Sequence, residues 1–397
     1  MKKTIIIISI VLGILALLAG VYFAWQKTKT ILNPPTSPSG TEQPVSFGAP
    51  TSTLPTAAGQ AAGQKLQLVS DQPIFDYWIF YPAATSTATT TATSTTVSTS
   101  TITRDSKIFY LSQDGKIFKL EGGKSEAVTS EPVKNLQAIK PSFDGKRVLI
   151  KSGDFVSPKF IIFNSEAKVF EVLPENITAA AFSPDAKKIA YLEKISGNLI
   201  IKDLIGTKPK TVKVLSFNQK DFDLDWILAE KIVLTPKPSA FYLTSAWMID
   251  TKNKTLSPLG TEVNGLMIKW STNGKTGLQF SSQSEGRGSR LNLINEKGAV
   301  QANLDFITLP DKCFISEPKI YCAVPGSIPA KTVLPDDYLK KAVYFRDVFY
   351  QIDITQNSLS EILSGTEPTL DATNLRLVDN KLFFINRYDN KLYSLEL

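Results

Sequence analysis

The 397-residue chain contains no histidine. That absence removes Ser-His-Asp and Cys-His nucleophilic catalysis, histidine metal ligation and the imidazole acid/base from the chemistry open to it. Only Cys313 and Cys322 carry thiols, too few for a Cys-rich zinc site and without the CxxC spacing of a redox pair. Clustered basic residues are missing as well. The formal net charge is +7, but Lys2, Lys3, Lys27 and Lys29 supply much of it around an apolar N-terminal segment. The remainder is mildly basic with no Lys/Arg run, so no nucleic-acid partner is expected and the charges read as a solvated surface. No cofactor motif is present, and none is expected to bind.

The uncharged run Ile5 to Trp25 lies between lysine pairs and matches the roughly 20 helical residues that cross a hydrocarbon core. Residues 1–29 therefore read as a transmembrane signal-anchor. The basic start also resembles a signal peptide, but the apolar run is longer than a normal h-region and no small-x-small site precedes a plausible mature start. The expected topology is single-pass in the cytoplasmic membrane, N-terminus inside and the rest outside, extracellular or periplasmic. Residues 30–64 are rich in Pro, Ser, Thr, Gly and Ala, with Glu42 their one charge. Too few large apolar groups are present to offset ordering entropy, so this stretch reads as a disordered stalk. A second tract, Ala83 to Thr103, is almost entirely Ser, Thr and Ala. It reads as a disordered insertion, either a glycosylated or adhesive tract or a tolerated lengthening of an exposed loop.

From residue 65 the chain is organised around one unit, best seen at Thr178 to Leu204. Two β-prone runs flank Ser183-Pro184-Asp185-Ala186, where Pro fixes φ and Asp supplies an acceptor for a turn, and a third run follows Ser196-Gly197. Phe143, Phe182, Trp226, Trp270 and Phe314 stand 39 to 44 residues apart, each closing one strand before a turn and another strand. That period suits one four-stranded blade. With a first copy at Ile74 to Leu120 and a last at Asn374 to Leu397, the expectation is an all-β, seven-bladed β-propeller over 65–397. The last copy stops after three strands, while Lys65 to Ser70 is an orphan strand. The two should pair and close the ring, since an open edge would leave its N–H and C=O groups exposed.

The turns PSFDGK, FSPDAKKIAY and WSTNGK resemble the repeat of TolB-type and WD-repeat-like propellers. Together with the anchor, the stalk and YCAVPGSIPAKTVLPDDYLKKAVYF, the chain is similar to uncharacterised membrane-anchored propellers of small-genome bacteria. The resemblance implies a binding scaffold and carries no catalytic residue over.

Cys313 and Cys322 fall on two runs joined by Ser316-Glu317-Pro318-Lys319. Directly opposed positions across such a hairpin come near disulfide reach, so a cross-strand disulfide is favoured over two buried thiols in an exported domain. Asp221, Asp223 and Asp225 alternate along one strand. A hard cation could use them, but the run lacks the Gly of a calcium loop, and period two equally suits an exposed strand or channel face. With strands labelled a to d from centre to rim, the orphan strand acts as d, which puts the stalk on the a–b/c–d side. The longest b–c loops, Pro236 to Thr244, Ser281 to Ser289 and Pro325 to Phe345, then face outward. Phe241, Tyr242, Arg287, Asp336, Asp337 and Tyr338 are the candidate ligand contacts on them. Phe241 and Tyr338 could instead fold back as lids. The function expected is a non-enzymatic scaffold for a protein or envelope glycan. Its rivals are a glycosidase-like hydrolase using carboxylates such as Asp336 and Asp337, and a structural spacer.

Overall fold

The computed structural model describes residues 65–82, 106–365 and 368–397, and the backbone of residues 45–47. The expected membrane helix, most of the expected stalk and the Ser/Thr tract lie outside these residues. Among the described residues no helix is long and apolar enough to cross a membrane.

The chain runs through successive four-stranded antiparallel meanders, in which strands a to d follow one another in sequence. The first is Ile74–Phe80, Lys107–Ser112, Ile117–Glu121 and Lys124–Ala127. The second is Leu136–Pro141, Arg147–Gly153, Pro158–Asn164 and Val169–Val172, and the third Ile177–Phe182, Lys188–Glu193, Asn198–Asp203 and Thr211–Ser216. Phe222–Leu228, Lys231–Pro236 and Leu243–Asp250 open the fourth, whose last strand is the 16-residue Thr255–Trp270. That strand does not stop. Its first part pairs with Leu243–Asp250 and its last part, Asn264 to Trp270, pairs with Thr276–Ser282, so it is also strand a of the fifth repeat. Hydrogen bonding therefore yields six sheets, five of four strands and one of eight. Arg290–Asn295 and Val300–Leu304 complete the fifth repeat, and Cys313–Ser316, Lys319–Pro325, Asp347–Asp353 and Ser358–Leu363 form the sixth.

The last repeat is built from both ends of the domain. Ala372–Val378, Lys381–Asn386 and Lys391–Glu396 are its first three strands, and Leu66–Leu68 is the fourth, antiparallel to Lys391–Glu396 with Leu66 opposite Leu395. The expected closure is present. Tyr77 in the first repeat reinforces it, its hydroxyl donating to the carbonyls of Asn374 and Phe383 at 2.8 and 2.9 Å. One departure from the expected stalk is clear: Val45–Phe47 pairs parallel with Ala302 to Leu304, adding a strand to the outer edge of the fifth repeat.

The turns explain why these residues close hairpins. Ser142 Oγ donates to Asp144 and accepts from the Arg147 N–H, while Asp144 accepts from the Lys146 N–H. Ser183 with Asp185, and Ser271 with Asn273, repeat the arrangement. The fourth position has φ +66° at Gly145 and +56° at Ala186. At Gly145 the neighbouring repeat also excludes a side chain, since a Cβ would stand 1.8 Å from the Ile79 carbonyl oxygen. In the first repeat the same motif, Ser112 to Lys116, closes strands b and c instead of a and b, because the Ser/Thr tract occupies the a–b connection.

Apolar packing joins each repeat to the next. Trp78 of the first, fully buried, stacks on Phe109 at 5.6 Å, meets Phe163 of the second edge-on, and donates its indole N–H to Ser165. Truncating such a residue to Ala costs about 3–5 kcal/mol. Cys313 and Cys322 sit opposite each other in the sixth repeat, 4.1 Å apart at Cα, and form the expected disulfide.

Candidate functional site

The three long b–c connections of the fourth, fifth and sixth repeats come together, joined by one carboxylate and one backbone hydrogen bond. Asp336 opens a one-turn helix, Asp336–Leu339, within the 326–346 connection, and its carboxylate accepts the Ala240 N–H at 2.7 Å. The Glu285 N–H in turn donates to the Ala240 carbonyl. Asp337 accepts the Val333 N–H at 2.8 Å and so fastens its own loop. Both aspartates are thus internal fasteners, not free contact groups. Tyr338 needs a larger correction, because it is buried. Its ring stacks on Phe345 and lies under the Arg387 guanidinium at 3.8 Å.

Beneath Tyr338 is a cluster that sequence reading missed. Lys312 donates to Asp347 at 2.7 Å, to Asp371 at 2.6 Å and to the Ala372 carbonyl. Arg387 meets the other oxygen of Asp371 at 2.7 Å and donates to the Tyr338 carbonyl. All four charged side chains are nearly or wholly inaccessible to solvent. Burial pulls the Lys312 ammonium down, but Asp347 and Asp371 outweigh it and hold it above its ordinary value. The cluster locks the long connection against the last two repeats.

The b–c end also exposes large apolar side chains. Phe241 and Tyr242 are 52% and 71% exposed, and Arg287, on the next b–c connection, is exposed and paired only with the exposed Glu285. The same end of the second and third repeats presents Phe155, Val156 and Ile195, at 86%, 75% and 76%. Lysines bind these turns together: Lys194 donates to the Val156 carbonyl, and Lys220 to that of Ile195. Among the described connections at the opposite end, the large exposed apolar residues are Phe143 and Ile205.

A cavity of about 580 Å³ lies on the inner strands, lined from every repeat, by Asp76, Lys140, Phe182, Asp225, Lys269, Phe314 and Arg376 among others. Asp223 and Asp225 lie here, and their cation is a lysine. Lys140 of the second repeat reaches across the third to Asp223 at 2.7 Å, Asp225 at 3.2 Å and the Leu224 carbonyl. Asp221 pairs with Lys237 instead, and among the described residues no cluster suited to a metal ion occurs. On the opposite wall, burial pushes the Asp76 carboxyl up to about 6, against the pull of Arg376, and pulls the Lys269 ammonium down to about 8. A charged residue within an otherwise apolar inner strand (FDYW, MIKW, LRLV) was the readable signal for this wall, as AIKP was for Lys140.

No family model and no curated protein matches the chain. Among solved structures it is similar to an oligogalacturonate lyase in complex with manganese, at TM-score 0.51 and 11% identity over 73% of this chain and 85% of that one. The β-propeller domain of Myceliophteria thermophila Cps50 (Swd1) is similar at TM-score 0.46 and 10% identity, over 73% and 93%. The tricorn protease gives 0.47 and 13% over 73% of this chain, which spans only 32% of that protein. Likeness at such identities speaks to fold alone. The chain is a β-propeller.

Proposed function

We propose that this protein is a non-enzymatic, seven-bladed scaffold, anchored outside the cytoplasmic membrane by residues 1–29, that binds a protein or an envelope glycan through its b–c end. Seven blades follow if Thr255–Trp270 is counted twice, as the rim of one blade and the inner strand of the next. Seven apolar clusters, one between each pair of successive repeats around the ring, support that count. The turn chemistry of Ser142, Ser183 and Ser271 supports the finer likeness to TolB-type repeats.

The observation that carries the reading is the difference between the two ends. Strand d of each repeat runs from the c–d end toward the b–c end. Lys65, whose carbonyl accepts from the Glu396 N–H, and Val45, parallel to strand d of the fifth repeat, therefore both lie at the c–d end. The exposed Phe155, Val156, Ile195, Phe241 and Tyr242 lie at the other. An apolar rim interrupted by lysines, on the end away from a tether, suits a macromolecular partner. The Cys313–Cys322 disulfide supports an oxidising compartment. Photo-cross-linking on intact cells from position 242 tests this. Capture of a protein or cell-wall polymer is expected there and not from position 205, at the opposite end. Equal labelling from both would sink the assignment.

A further inference from the structure

The channel wall formed by the first, fifth and last repeats holds four charges that do not pair with one another. Asp76, Lys269, Asp311 and Arg376 all line the one cavity, yet none is in an ion pair with any described residue. They feel each other through space: Arg376 and Asp311 both act on Asp76, and Asp311, Arg376 and Asp76 all act on Lys269. Their direct partners are sparse. Lys269 donates to the Cys313 carbonyl at 2.8 Å, and Asp76 accepts the Tyr77 N–H and the Asn374 amide through one oxygen. Arg376 Nε and the indole nitrogen of Trp270, also on the lining, are buried with no partner among the described residues.

Asp76 and Lys269 are desolvated with no ion-pair partner, which is costly, and Asp311 stays exposed on the same cavity, so an arrangement that keeps these charges apart is poised for a ligand that completes it. Two cations and two carboxylates set the kind. A simple anion would answer Lys269 and Arg376 but crowd the carboxylates, and a simple cation would do the reverse. From this we infer that the channel binds a small zwitterion, a molecule of amino-acid type whose carboxylate meets Arg376 and Lys269 while its ammonium meets Asp76 and Asp311. Phe314 and Trp270, on the same lining, take an apolar side chain. Lys140 on the far wall is already engaged by Asp223 and Asp225. The volume admits a free amino acid or a short peptide, which share this chemistry.

The test titrates the purified full-length chain with four probes sharing one apolar body: phenylalanine, the dipeptide Phe-Phe, 3-phenylpropionate and 2-phenylethylamine. At least one of the two zwitterions is expected to bind at least about tenfold tighter than both single-charge probes, as for hydrogen bonds to charged groups. Which of the two binds better tells a free amino acid from a peptide. Arg376→Met and Asp76→Asn should each weaken that binding by a similar factor with the melting transition retained; should Arg376→Met fail to fold, Lys269→Met gives the same reading. Absence of binding by both zwitterions at about 10 mM, parity with a single-charge probe, or binding unchanged in the variants would overturn the inference. None of these outcomes touches the rim, whose test reads position 242.

Discussion

Lys312 and Asp311 are neighbours in sequence and belong to two opposite solutions of one problem. Lys312 sits in a dry cluster where two cations face two carboxylates at hydrogen-bond distance and backbone groups take up further valences. Asp311 faces the channel with Asp76, Lys269 and Arg376, the same two-and-two tally, but without contact. The contrast separates charge used to hold a fold from charge kept available. Paired at hydrogen-bond distance, buried ions specify where a long loop docks. Held apart around a cavity, they leave part of their potential unmet.

The largest effect expected from breaking this contrast is at Lys312. Lys312→Met strands Asp347 and Asp371 without their ammonium and should cost about 3–5 kcal/mol in urea unfolding; a loss no greater than that of Lys269→Met would erase the distinction. Next comes Asp76. Its folded pKa of about 6 lies above the unfolded value of about 3.9, so between those values the folded protein holds a proton that the unfolded chain has released. Stability should therefore fall as pH rises from about 4 to about 6, and Asp76→Asn should remove a slope on the order of 2 kcal/mol across that window. Lys140→Met should cost about 1 kcal/mol, less than Lys312 because the ammonium keeps some contact with water, and 1 M salt should mask it. Smallest is Lys269→Met, within about 1 kcal/mol of the parent or slightly stabilising, since it removes a desolvated ammonium that has no carboxylate in contact.

Much of the fold was legible because it repeats. Aromatic-closed strands at a near-constant spacing, and Ser-x-Asp-Gly turns whose side chains must satisfy local N–H groups, are short-range features that a chain displays in order. The orphan strand at Leu66 and the opposed cysteines were legible for a related reason: an unpaired edge and a four-residue turn each leave one favourable partner. The contact residues were less so. Phe241, Tyr242 and Arg287 did prove exposed, but Tyr338 turned inward and Asp336 and Asp337 became fasteners. Loop length signals where a loop is, and not which of its side chains will find a buried counter-charge.

The sequence by itself determined the strands, the turns, the closure and the absence of histidine chemistry, because each depends on near neighbours or on composition. Only the tertiary structure decided that Lys140 spans the third repeat to reach Asp223, that Lys312 turns away from the channel its neighbour Asp311 faces, and that Asp76, Lys269, Arg376 and Asp311 share one cavity. Those outcomes depend on which strands the ring places side by side. Coulomb interaction and desolvation act through space between residues up to 300 positions apart, such as Asp76 and Arg376, and no local pattern encodes that distance.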